Sequence, residues 1–205
     1  MTAHKIPFVA LLIISFGCGL LLANSCSDTS VEKSTKQDVQ LGREKIMTDQ
    51  ANPNIGKRFP EVTAESLAKT RESIPESAKG KVTLIAVAFL QQSQPQLDSW
   101  LEPFINKFGS KEEFTFYEVP MISSGYKFMR FVIDSGMRGG IPQNKHKHVV
   151  TMYGNVEQYM NELNLDARFG YAFLLDKEGI IQWQGQGFST TETLKELFGL
   201  AEKLT

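Results

Sequence analysis

The sequence predicts an α/β sandwich with a central mixed sheet, and three observations carry that reading. Lys81–Leu90 (KVTLIAVAFL) is a continuous apolar run rich in β-branched residues, the pattern of a strand covered on both faces. From there to the C-terminus, strand-like and helix-like periods alternate, as they do where helices pack on a sheet. The chain then closes on a β-hairpin followed by a helix, which narrows the class further.

Each element follows from its residues. Pro95 opens a helix in which Leu97, Trp100, Leu101, Phe104, Ile105 and Phe108 recur at i, i+3 and i+4, so one face packs on the sheet. Phe114–Val119 returns to a strand, and Tyr126–Ile133 carries Met129, Val132 and Ile133 at helical spacing. Val149–Tyr153 reads as a short strand, Val156–Leu165 as a helix and Tyr171–Leu175 as a strand. Asp176-Lys-Glu-Gly179 is the hairpin turn, and Ile180–Gln184 is its partner strand. Thr191–Leu204 closes as a helix with Leu194, Leu197, Phe198, Leu200 and Ala201 on its apolar face.

The chain has 205 residues, with 22 Lys and Arg against 23 Asp and Glu, for a net charge of −1. No basic excess exists to grip nucleic acid. The two cysteines, Cys18 and Cys26, both belong to the N-terminal end, so residues 27–205 contain no thiol. Disulfide scaffolds, Cys-based zinc sites and thiol catalysis are thereby excluded from the folded part. The start itself is an address: His4 and Lys5 precede an uncharged apolar run, Ile6–Ala23, which ends Leu22-Ala-Asn-Ser-Cys26 before the chain turns polar. A cysteine after small residues at the end of such a run resembles a bacterial lipoprotein cleavage site. The expectation is a signal peptide over residues 1–25, lipidation at Cys26, a flexible tether over 26–54 and a folded domain over 55–205. An uncleaved signal anchor is the competing reading. Both place the domain on the extracytoplasmic, periplasmic side of a membrane.

Ile55-Gly-Lys-Arg-Phe-Pro60 resembles the entry to thioredoxin-like and peroxiredoxin-like domains, and the strand at Val82–Leu90 sits where those families place their redox cysteines. Here the following loop reads Gln91-Gln-Ser-Gln-Pro-Gln96, and Arg168-Phe-Gly-Tyr171 stands where a thioredoxin carries its cis-proline. A narrower family is closer. Met137-Arg-Gly-Gly-Ile-Pro142, His146-Lys-His148, Gly170-Tyr171-Ala-Phe-Leu-Leu-Asp176 and Ile180-Ile-Gln-Trp183-Gln-Gly185-Gln-Gly187 together resemble the thioredoxin-like assembly factors of the F-type ATP synthase membrane sector. That resemblance implies a thioredoxin-like three-layer sandwich lacking redox cysteines, no cofactor, and a non-enzymatic role in assembling a membrane-protein subunit. The other class in view is a thiol-disulfide oxidoreductase relative of the thioredoxin or peroxiredoxin superfamily, which needs a thiolate nucleophile.

The candidate partner-binding residues are Gln91, Gln94, Arg138, Ile141, Gly170, Tyr171 and Trp183. A thioredoxin-like fold is expected to gather the loop after the first core strand, the Met137–Pro142 loop and the Phe169–Tyr171 entry onto one face that holds an extended peptide. Arg138 has the chemistry to bind a carboxylate or phosphate, or is simply an exposed arginine in a glycine-rich turn. Tyr171 is the amphipathic ring expected to anchor a partner. Trp183 with Gly185 and Gly187 is either a peptide-binding edge or ordinary strand and turn chemistry. His146 and His148 lack nearby acidic co-ligands and read as a solvated loop rather than a metal site. The 91–96 loop holds no titratable group, so it offers neither nucleophile nor general base.

Overall fold

A computed structural model describes residues 52–205, which form one compact unit. The expected signal peptide, Cys26 and most of the tether lie outside the described residues. Asn52 and Asn54, ahead of the expected domain start at Ile55, already bond into the domain. Asn52 donates its side-chain amide to Gln184 at 3.1 Å, and buried Asn54 donates to the Leu163 carbonyl at 2.7 Å.

The sheet has five strands: β3 (Val82–Ala88), β4 (Phe114–Ser123), β5 (Met152–Gly154), β6 (Tyr171–Leu175) and β7 (Ile181–Gln186). Their order is β5-β4-β3-β6-β7, with β3 parallel to β4, β4 parallel to β5, and β6 antiparallel to both β3 and β7. The mixed sheet expected from the sequence is therefore present. Every residue of β3 is buried, as its unbroken apolar run requires of a central strand.

Two helices cover one face of the sheet. The helix α1 (Gln94–Phe108) and the C-terminal helix pack on Val82, Leu84, Ala86, Ala172 and Leu174, with Trp100, Phe104 and Phe108 filling the layer. Phe108 stacks on Phe114 at 4.3 Å between ring centroids. The opposite face, Ile85, Val87, Val119, Met121, Phe173 and Leu175, is covered by Phe59, Val62, Ile74, Leu163 and Leu165. Val62 and Ile74 come from an antiparallel hairpin, β1 (Val62–Glu65) and β2 (Arg71–Ile74), which sequence periodicity did not reveal. Its strands, VTAE and RESI, supply little apolar pattern to read.

Between β4 and β5 the structure departs from the sequence reading. After a 3-10 stretch over 124–129, helix α2 spans Arg130–Gly140, so Met137 to Gly140 form its last turn rather than a glycine-rich loop. The helix also turns a carboxylate inward, beside half-buried Ile133 and Met137. Its buried residue is Asp134, while Val132, expected on the packed face, is exposed. The Asp134 carboxylate accepts from the Tyr153 hydroxyl at 2.7 Å and from Arg130 Nε at 3.4 Å, and Arg130 also pairs with Glu65 at 3.1 Å. Helix α3 (Val156–Glu162) then leads back to β6, and α4 (Thr191–Lys203) closes the chain. Thr190 and Thr193 bond reciprocally to each other's backbone N–H at the start of α4, satisfying two donors that the first turn leaves open.

Candidate functional site

Because β3 and β4 run parallel and β6 and β7 pair across them, four chain segments emerge at one end of the sheet. These are the exit of β3 into α1, the exit of β4, the entry to β6 and the exit of β7. Gln91–Ser93 forms a single 3-10 turn that feeds α1, and Pro95 lies in the first helical turn, where its missing N–H costs nothing.

The entry to β6 is pressed against that turn. Gln96 Oε1 accepts the Gly170 N–H at 2.6 Å, and the Gly170 carbonyl accepts from Gly187 N–H at 2.8 Å. Trp100 Nε1 then donates to the Gly187 carbonyl at 2.8 Å, so α1, β6 and β7 are laced together. A Cβ on Gly170 would stand 2.8 Å from Leu97 Cδ2 and 3.3 Å from Gln96 Cβ, so a larger residue there would have to push the Leu97 side chain aside. The neighbouring Phe169 N–H is likewise taken, by the Asp166 carbonyl at 3.1 Å. A groove of this kind would offer such backbone donors to an extended peptide. Here both are already satisfied within the fold.

The sequence candidates separate into three places. Gln91 and Gln94 begin the 3-10 turn and α1, and Gly170 reaches the same first turn only through Gln96, while the Gln94 amide donates to Asp98 at 3.0 Å. Tyr171 does not face outward as expected. It is 2% exposed, and its hydroxyl accepts the Asp166 N–H at 2.7 Å, so the ring belongs to the core. Arg138 spends its guanidinium inside the fold, Nε donating to the Leu67 carbonyl at 2.8 Å beyond β1. Ile141 follows α2, and its carbonyl is 2.8 Å from His146 Nε2. Trp183 lies on the α1–α4 side, its ring edge-on to Trp100 with centroids 5.3 Å apart. A Cβ on Gly185 would come 3.0 Å from the Trp100 ring and 2.5 Å from Trp183. That glycine therefore makes room for the tryptophan pair.

His148 stacks on Phe116 at 4.2 Å with Nδ1 3.0 Å from the Phe116 carbonyl, whereas His146 bonds elsewhere, so the two imidazoles do not converge. Among the described residues no group of three or more His, Cys, Asp or Glu is placed to hold a metal ion. No helix among the described residues is long and apolar enough to cross a membrane.

Sequence reasoning missed Glu118 on β4, aligned with Ala86 and beside Gln94 and Asp98 of α1. Burial, the largest cause, pushes its carboxyl up to about 7, and Asp98 adds to the rise. A hydrogen bond from Gln94 and the charge of Lys145 work against it. As pH rises from the ordinary value of 4.5 toward 7, the unfolded carboxyl ionises first, and folding stability is lost across that window. Glu118→Gln is accordingly expected to gain about 3 kcal/mol at pH 8 and nothing below pH 4.5, read by denaturant unfolding of variant and parent. A difference that does not change with pH would remove Glu118 as its source.

The buried hydroxyl of Ser93 lies 3.4 Å from the Arg168 carbonyl, and no base stands beside it among the described contacts. The site thus offers surfaces and amides rather than a nucleophile. A model of the ATP10 protein family matches residues 53–204. The chain belongs to that family of ATP synthase assembly factors. Among curated proteins no match was found. Solved structures place this ATP10-family chain on the thioredoxin-like fold. The thioredoxin domain of a thiol-disulfide oxidoreductase from Bacteroides vulgatus is 19% identical, with a TM-score of 0.51 over 72% of this chain and 97% of that one. A putative protein disulfide isomerase from Bacteroides thetaiotaomicron is 15% identical, with a TM-score of 0.52 over 73% and 89%. BsSco, a member of the Sco family of cytochrome c oxidase assembly proteins, is 10% identical, with a TM-score of 0.50 over 76% and 98%.

Proposed function

We propose that this ATP10-family protein is a non-catalytic holding module for a membrane-sector subunit of the ATP synthase, or for an extended segment of one. The observation that carries the reading is the state of the α1 end. Gln91 to Gln96 stand where thiol relatives keep cysteines, Gln96 seals the Gly170 N–H, and Leu90 and Phe188 remain exposed on the rim. A client held there is gripped by apolar side chains and by the exposed Gln91 amide, because the backbone donors at Phe169 and Gly170 are spent and the Gln94 amide, expected to reach a partner, bonds Asp98 and Glu118 instead. Arg138, Ile141 and Trp183 lie outside this grip, and Tyr171 supports it from within. Thiol-disulfide exchange has no thiolate to run on in residues 27–205.

The membrane side of the reading rests on the N-terminal sequence. Lipidation of Cys26 would hold the domain at the extracytoplasmic face, within reach of membrane subunits. Site-specific photocrosslinking in intact membranes tests the proposal. A crosslinker at Leu90 or Phe188 should capture a membrane-sector subunit, identified by mass spectrometry, and one at Lys195 on α4 should not. Equal capture from all three positions, or none from the rim, overturns it.

A further inference from the structure

The segment 124–148 concentrates positive charge in a chain that is nearly neutral. It carries Lys127, Arg130, Arg138, Lys145 and Lys147 against Asp134 alone, whereas the whole chain sums to −1. The same segment carries the most exposed of the large apolar side chains among the described residues. Phe128 is 84% exposed and Phe131 is 81% exposed, with Tyr126 and Val132 also more than half exposed. Residues three apart share a helical face. Lys127 and Arg130 therefore look into the groove they line, while Phe128 and Phe131, one residue on, are turned away from it to solvent.

That groove runs between the β1–β2 hairpin, β5 and the start of α2, and encloses about 560 Å³. Its charged lining is Lys69, Arg71, Lys127 and Arg130 against a single carboxylate, Glu65. Thr151 lines it too, with a buried hydroxyl that has no hydrogen-bond partner. An orphaned hydroxyl is costly unless some acceptor or donor reaches it.

We propose that this face docks on an anionic bilayer surface, with a lipid phosphate drawn to the basic groove and the aromatic ridge of Tyr126, Phe128 and Phe131 entering the headgroup region. Aromatic rings beside lysine and arginine are the composition that favours an interface between water and lipid. The helix supports the assignment, since Asp134 is buried in its ion pair while Phe131 and Val132 are left exposed on the outer side. A second copy of this chain is a poorer occupant, because a two-fold contact would bring two positive patches together. The inference does not depend on which protein segment the α1 end holds, and Leu90 and Phe188 lie outside it. It would add a second, weaker membrane contact to any N-terminal anchor, and two such contacts reinforce one another.

Tryptophan quenching by bromine-labelled acyl chains tests it on the full chain reconstituted in vesicles. Phe131→Trp and Val132→Trp place reporters on the ridge, and Lys195→Trp places one on α4. In phosphatidylcholine containing roughly a third phosphatidylglycerol, the ridge reporters should be quenched about twofold more than the parent chain. Lys195→Trp should match the parent. Lys69→Glu with Lys127→Glu should return the ridge signal to the parent level, and added inorganic phosphate should not. No extra quenching at either ridge position overturns the proposal. Equal quenching in pure phosphatidylcholine overturns the anionic headgroup, and reporters buried by concentration-dependent dimerisation assign the face to a second copy instead.

Discussion

Trp100→Ala is expected to destabilise the domain by about 3–5 kcal/mol, because it empties the joint between α1 and the β7 edge. The indole is 1% exposed, packs edge-on against Trp183 and donates to the Gly187 carbonyl. Its removal leaves a cavity that Gly185 cannot fill and a carbonyl without its donor. Trp100→Phe keeps much of the volume and loses the donor, so a smaller cost of about 1–2 kcal/mol is expected. Denaturant unfolding reads both. A loss under about 1 kcal/mol for the alanine variant would show that the α1–β7 lacing contributes little.

The second large effect is expected at Asp134. Asp134→Ala strips the Tyr153 hydroxyl of its acceptor and leaves Arg130 with Glu65 alone, at a cost of about 2–3 kcal/mol. The loss should be local as well as global. Amide hydrogen exchange in α2 should accelerate more than in β3, since α2 has no buried apolar residue to hold it once the carboxylate is gone. Uniform acceleration across the sheet would mean that the carboxylate supports the whole fold rather than this helix.

These two residues mark where the sequence was legible and where it was not. Trp100 was read as a packed residue because the α1 face repeats at i, i+3 and i+4 against an unmistakable core strand, Val82–Ala88. Asp134 was not, because hydrophobic period reports which side chains share a face and is silent about which face turns inward. Met129, Val132 and Ile133 have the period of a packed helix, yet only Met129 and Ile133 are half-buried, beside the Asp134–Arg130 pair, and Val132 faces outward. The β1–β2 hairpin escaped for a related reason, since of VTAE and RESI only Val62 and Ile74 are fully buried. At the site, the missing cysteines and the glycine before β6 were visible as residues. Their consequence was not visible, because the Gln96 bond to Gly170 joins positions 74 residues apart. Tyr171 shows the same limit: an amphipathic ring at a site entry reads as an anchor until its hydroxyl is found bonded to Asp166.

The central claim is that a client is held, without thiol chemistry, on the α1 end of the sheet. Photocrosslinking from Phe188 in intact membranes tests it most directly when the yield is compared between the parent chain and Leu90→Asp, with and without reductant. The account predicts capture of a membrane-sector subunit of the ATP synthase, a several-fold loss of that capture in Leu90→Asp at equal protein level, and no change with reductant. Capture that survives Leu90→Asp undiminished, or that depends on an oxidising medium, would contradict it.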